Sequence, residues 1–255
     1  MSLQHLLPAD AFAACLVFAR LGAAMMLLPG FSEIYVLQRY RLLLGLAMAL
    51  LLTPVVAPHL PPMPSSPSAL LLMVFAEVAI GVFIGTLARL LVAALETAGM
   101  MVSLQIGLSA ATMFNPLSDD TSSPLPASLY GMLGVVLIFL TDLDHLMLRA
   151  AVDSYTLFAP GKLPPIGDLS ETVTRFAAGS FQLAVELAAP FIVLGLVFFV
   201  ALGIISRLVP QLQILFIAQP MQVLGGLMLF AVVLVGGMRL FLGVFQQQLS
   251  FLVPG

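Results

Sequence analysis

"EVAIGVFIGTLARLLVAALE", residues 77–96, decides how this chain is read. Glu77, Gly81, Gly85, Arg89, Ala93 and Glu96 recur every three or four residues, which lays them along one side of a helix. Gly81 and Gly85 form a GxxxG pair, and small residues at that spacing let a second helix approach closely. The stretch overlaps an apolar run, 69–95, that is longer than the 20 or so residues needed to cross a bilayer as helix. A membrane helix with one side built for protein contact is therefore the first element of the fold.

Outward from it the chain keeps the same character. Of its 255 residues 61% are apolar and 8% charged, with a mean hydropathy of +1.15, whereas a soluble domain has about a quarter of its residues charged. Residues 42–76, 208–238 and 240–255 carry no Asp, Glu, Lys or Arg. Lipid leaves unpaired backbone groups unsatisfied, and the period-two alternation of a membrane barrel is absent, so the predicted fold is all-α and polytopic. Cys15 stands alone in an apolar run, which excludes a disulfide framework and a thiolate metal site. No positive charge precedes Arg20, and Arg20 breaks the run a cleaved signal would keep clean, so the first segment is expected to be retained. A net charge of −3 and nine scattered Lys plus Arg provide no electrostatic footprint for nucleic acid.

Six apolar segments are placed at 11–29, 42–60, 69–95, 126–150, 178–205 and 219–245. The connectors include "PGFSEIYVLQRYR" (29–41), the Pro/Ser-rich "PHLPPMPSSPS" (58–68), "PGKLPPIGDLSE" (160–171) and "SRLVPQLQILFIAQP" (206–220). Arg39 and Arg41 would place the first loop in the cytoplasm. Alternation would then put 150–177 outside despite Lys162 and Arg175, a conflict expected if some apolar segments bury against protein without crossing lipid.

Arg20, Glu77, Arg89, Glu96, Glu186, Arg207 and Arg239 lie within or at the ends of apolar segments, where an ionisable group costs roughly 2.5–3.5 kcal/mol on insertion scales. Glu77 and Arg89 are separated by about 18 Å along a helix axis at 1.5 Å per residue, so each needs a partner from elsewhere. Interhelical pairs that fix assembly are the expected use, because nothing in the sequence brings Glu77, Glu96 and Glu186 to one depth as a proton relay needs. His5, His59 and His145 are isolated, and HExxH, GxSxG and phosphate-loop patterns are all missing. Asp142, Asp144 and His145 lack a further ligand and read as the polar start of a helix. No enzyme activity, metal or cofactor is expected.

One passage departs from the rest. "QIGLSAATMFNPLSDDTSSP" (105–124) opens like a small-residue helix face, presents Met113 and Phe114, stops at Asn115-Pro116 and becomes polar. An oily tip on a polar base is an unusual loop for a chain of leucine, valine and alanine.

Several stretches together resemble the FliR family of flagellar type III export-gate proteins, whose injectisome counterparts are the SctT-type proteins. They are "FARLGAAMMLLPGFSE" (18–33), "RYRLLLGLAMALLLTP" (39–54), "EVAIGVFIGTLARLLVAALETAGMMVSLQIGLSAATMFNP" (77–116), "DLDHLMLRAAVDSY" (142–155) and "APFIVLGLVFFVALGIISRLVPQLQILFIAQP" (189–220). The specific element is Arg207, Pro210 and Gln211 within the last stretch. Gln213 stands where the family commonly has asparagine, and Ala218-Gln219 where it has a glycine turn.

The resemblance implies a non-enzymatic structural and gating subunit in the bacterial inner membrane, at the flagellar basal body. It implies a FliP-like part, 1–175, followed by a FliQ-like helical hairpin, 176–255, assembled with FliP and FliQ into a channel for unfolded export substrates. FlhB-like and FlhA-like export components are the further partners implied. By the same resemblance, 106–122 is a plug, with Ile106, Gly107, Leu108, Met113, Phe114, Asn115 and Pro116 as its residues. Glu77, Gly81, Gly85, Arg89, Glu96, Arg207, Pro210 and Gln211 are expected to make assembly or interhelical contacts. An injectisome subunit and an ion-coupled small-molecule transporter are the competing readings, the second weakened by the lack of an internal repeat.

Overall fold

The computed structural model describes residues 3–108, 124–208 and 214–250. Seven α-helices and no strand occur among them: α1 (Leu3–Met25), α2 (Gln38–Val56), α3 (Pro67–Gln105), α4 (Leu125–Leu140), α5 (Leu143–Leu157), α6 (Ile166–Leu208) and α7 (Ile214–Ser250). A single 3-10 turn, Ala57–His59, continues α2 past Pro58. Four stretches are long and apolar enough to cross a membrane, Gln38–His59, Pro67–Gln105, Ile166–Leu208 and Ala218–Ser250, and the bent pair α4 and α5 makes a fifth. The all-α polytopic class stands as predicted. The first of the six apolar segments buries Leu16, Val17, Leu21 and Ala24 inside the protein.

Three helices run well past the apolar windows: α3 has 39 residues, α6 has 43 and α7 has 37. Hydropathy marks only the stretch suited to lipid, while helix continues wherever backbone bonds and local signals allow. Thus α6 starts at Ile166, directly after Pro164-Pro165 and with Asp168 in its first turn, inside a region that reads as a polar connector. Likewise α7 passes through Ala218, Gln219 and Pro220 as helix, where a turn was expected. Conversely, segment 126–150 is broken: α4 and α5 meet at a 77° bend. Asp142 sits at that bend in the left-handed region (φ 57°), which Asp tolerates better than most L-residues.

Two compact units divide the chain, one from Met1–Leu91, Ile138–Ala177 and Phe245–Gly255, the other from Val92–Leu137 and Ala178–Val244. In the first, Val17 and Leu21 of α1, Ala49 and Val56 of α2, and Ala151 and Tyr155 of α5 form a core, with Phe18, Leu52 and Leu60 packed against it. Within the second, Tyr130 of α4 lies 5.0 Å from Phe230 of α7, and Phe191 of α6 is 6.1 Å from Phe230, measured between ring centroids. Gly99 of α3 meets the backbone of Ala127, so α3 and α4 touch backbone to backbone there. Lipid tails are as apolar as leucine, so such close packing and paired polar groups, more than apolar burial, hold helices together in a membrane.

Candidate functional site

Arg20 of α1 and Glu77 of α3 are both fully buried. Arg20 Nε donates to Glu77 Oε2 at 2.6 Å and Nη2 to Oε1 at 3.2 Å, a two-pronged ion pair. Nη1 reaches the Ser154 carbonyl at 3.1 Å, Ser154 Oγ at 3.2 Å and the Phe158 carbonyl at 3.4 Å, which Nη2 shares at 3.4 Å. These acceptors account for all five guanidinium N–H donors. Below the group lies the Tyr155 ring, its centroid 3.9 Å from Arg20 Cζ. Glu77 Oε1 also accepts the Gly161 N–H at 2.7 Å, and Gly161 reaches it with φ +73°, a conformation that glycine adopts without strain. One buried cation and one buried anion thereby tie α1, α3, α5 and the loop after α5 into a single satisfied network.

The small-residue side of α3 serves the same crossing. A Cβ at Gly81 would collide with the Arg20 carbonyl oxygen, and one at Gly85 would lie 2.6 Å from Leu27 Cβ and 2.8 Å from the Ala24 carbonyl oxygen. Backbone cannot move aside as a side chain can. Gly81→Leu is expected to destabilise the protein by about 3 kcal/mol or more, the upper end for overpacking, read as a lowered unfolding temperature in detergent. An unchanged transition would remove the α1–α3 crossing from the account.

The rest of the row is placed differently. Arg89 is exposed and donates from Nη1 to Ser32 Oγ at 3.1 Å. Glu96, also exposed, lies in the second unit beside Gly131 of α4, where an added Cβ would be 3.4 Å from Glu96 Cγ. Arg207 is exposed in the last turn of α6, where a cation complements the helix dipole. Pro210 and Gln211 lie outside the described residues, as do Met113, Phe114, Asn115 and Pro116.

Ile106, Gly107 and Leu108 follow the end of α3, and Ile106 with Gln105 anchors it. Gln222 Nε2 of α7 donates to the Gln105 carbonyl at 2.7 Å, capping one of the four carbonyls that a helix end leaves without an internal partner. Ile106, 1% exposed, sits against Gly226 of α7, where any Cβ would strike its side chain. On α6, Gly195 makes room for the Gln105 side chain. Gly107 then takes φ +79° and donates its N–H to the Leu104 carbonyl at 3.3 Å, the left-handed stop of a helix. The passage after Gly107 therefore departs from a point clamped by α6 and α7.

At the α4–α5 bend, His145 Nδ1 is 3.3 Å from Asp144 and 3.9 Å from Asp142, with Asp142 and His145 well exposed. The three polar side chains gather at the start of α5, as the sequence reads them. The partner of Glu77 escaped sequence reading because it lies 57 positions away; Arg20 was visible only as a costly charge in an apolar run. Gln222 gave no signal at all, being one polar residue among many near a helix start.

Apolar helices longer than a bilayer, a polar network spent on holding helices together and a clamped segment between spans define an all-α polytopic membrane protein. The family model described as "Bacterial export proteins, family 1" matches residues 11–248. Among its relatives, the flagellar biosynthetic protein FliR of Caulobacter vibrioides is 43% identical over 225 residues, covering 88% of this chain and 89% of that one. FliR of Escherichia coli is 34% identical, covering 80% and 77%, and FliR of Bacillus subtilis is 27% identical, covering 82% and 80%. The chain belongs to the FliR family of bacterial export proteins.

Proposed function

We propose that the protein is a non-enzymatic structural and gating subunit of the flagellar export gate in the bacterial inner membrane. In this reading it assembles with FliP-like and FliQ-like subunits around a channel for unfolded flagellar substrates. Membership in the family makes it a membrane component of flagellar protein export, and the flagellar names of its relatives favour that system over an injectisome. The observation that carries the assembly reading is the spread of uncovered apolar side chains along one helix. On α3, exposed apolar side chains lie at Leu71, Leu72, Phe75, Val78 and Val82 and again at Met100 and Leu104, with the exposed charges of Arg89 and Glu96 between the two groups. From Leu71 to Leu104 is about 50 Å along the helix at 1.5 Å per residue, and a hydrocarbon core of about 30 Å covers only about 39 Å of a helix tilted by 40°. Lipid cannot cover both ends, so neighbouring subunits must cover one.

The two-part division at 175/176 belongs to this proposal, with α6 from residue 176 and α7 as the FliQ-like hairpin. So does the plug at 106–122, whose first residues, Ile106 and Gly107, lie at the clamped end of α3. FlhB-like and FlhA-like components are the further partners it requires.

Affinity purification of the chain at native expression level in mild detergent, with mass spectrometry of co-purifying proteins, tests the reading. FliP-like and FliQ-like subunits are the expected result. Arg207→Ala and Gln211→Ala are each expected to lower recovery of the complex roughly fivefold, the equivalent of about 1 kcal/mol for a lost interfacial hydrogen bond. Recovery of the chain alone as a stable monomer or homo-oligomer would favour a transporter and end the export-gate proposal.

A further inference from the structure

We propose that the cleft between the loop after α1, the start of α2 and Arg89 of α3 binds the phosphate headgroup of an anionic phospholipid. The cleft has a volume of about 600 Å³, and Ser32, Glu33, Leu37, Gln38, Arg41 and Arg89 are among its lining residues. All of them belong to the first unit. Two guanidinium groups and one carboxylate face the space, a surplus of one positive charge.

The cations are not used up by the protein. Among the described residues, neither Arg41 nor Arg89 forms an ion pair. Arg41 Nη2 donates to the Glu33 backbone carbonyl, which fixes the guanidinium in place, while Arg41 Nε is buried with no hydrogen-bond partner. An anion in the cleft compensates the charge of a guanidinium that the protein leaves without an ion-pair partner. Arg89 is steadied by Ser32 Oγ and keeps its other N–H donors. Both arginines line one opening, and arginine binds phosphate through paired N–H groups.

The surroundings select a lipid over a free anion. Immediately after Arg41, α2 exposes Leu42, Leu43, Leu46, Leu50 and Leu51, and only 17% of its apolar window is buried. A phosphate held at Arg41 thus sits at the head of an open apolar strip long enough for acyl chains. At the rim, Ile34 is 98% exposed, and Tyr35 and Tyr40 are 68% and 64% exposed. Tyrosines concentrate where a membrane meets water, the depth at which headgroups lie. Glu33 is accommodated by a headgroup that also carries hydroxyls, such as that of phosphatidylglycerol, because a carboxylate accepts hydrogen bonds from them.

The test is native mass spectrometry of the full chain in mild detergent, with or without its co-purifying subunits. Phosphatidylglycerol, phosphatidylcholine and inorganic phosphate are the probes. Phosphatidylglycerol is expected to remain bound in preference to phosphatidylcholine and to resist displacement by inorganic phosphate. Arg41→Gln and Arg89→Gln should each weaken its retention about fivefold, and together about thirtyfold, as expected for two basic residues at an anionic lipid. Arg39→Gln, beside the cleft but outside its lining, should leave retention unchanged. If the arginine variants do not fold, Ser32→Asp, which adds a carboxylate at the mouth, should abolish retention. Wild-type retention in the double variant or in Ser32→Asp, equal binding of phosphatidylcholine, or full displacement by phosphate overturns the proposal. So does exclusion of phosphatidylglycerol from the assembled complex, which would show that the cleft receives an acidic segment of another subunit.

Discussion

Glu77→Ala and Arg20→Ala should each remove most of the folded protein from the membrane. Either change leaves one charge in a fully buried site, and breaking such a pair costs about 3–5 kcal/mol, against a total stability of about 5–15 kcal/mol for a typical folded domain. The losses are not symmetric in kind. Glu77→Ala strands a guanidinium and also orphans the Gly161 N–H, which freed backbone can carry toward water. Arg20→Ala strands a carboxylate at the centre of the first unit and leaves the Ser154 and Phe158 carbonyls without this donor. Arg20→Lys should recover little, since an ammonium cannot serve Glu77, Ser154 and Phe158 at once. Tyr155 provides the control. Its hydroxyl is buried without a partner, so Tyr155→Phe should be close to neutral, whereas Tyr155→Ala removes the ring beneath the guanidinium. Membrane-fraction yield and thermal unfolding in detergent are the readouts. Wild-type values for both Ala variants would mean that the pair holds nothing together.

That network also shows what could be read from the sequence and what could not. Composition settles the all-α membrane class, because lipid allows few alternatives, and period 3.6 places Glu77, Gly81, Gly85 and Arg89 on one side of a helix. Periodicity names a side but not its occupant. Arg20 meets Glu77 only because α1 returns across α3, a non-local contact between two residues that each look simply expensive on their own. Hydropathy fails at helix ends for a related reason. It finds the lipid-suited centre of α6 but not the polar turns from Ile166 to Ala177, where proline and an acidic first turn carry the signal. The hydropathy average over 126–150 passes over the bend at Asp142, whereas the polar trio Asp142, Asp144 and His145 marks the helix start that the structure places at Leu143. At the candidate gate, sequence marked the unusual loop after α3. The clamp that holds its root rests on Gln222, Gly195 and Gly226, three residues with no distinguishing pattern.

The root of that loop leads to the second large effect. Deleting 109–114 should leave the complex assembled, because the clamp at Gln105 and Ile106 lies before the deletion and its contacts with α6 and α7 are intact. Reconstituted complex carrying the deletion should then pass ions steadily where the wild type is closed. In the proposed reading Met113 and Phe114 fill a narrow passage, and a hydrophobic constriction closes a pore by excluding water. Gln222→Ala gives the graded counterpart. It removes one hydrogen bond to the end of α3, worth about 1 kcal/mol, so the open fraction should rise about fivefold, well short of the deletion. The two variants separate a plug from a passive loop. A passive loop would tolerate the deletion with unchanged conductance, and a loop needed only for assembly would lose the complex. A leak that is large in the deletion and small in Gln222→Ala requires both a blocking segment and an anchor that sets how often it moves.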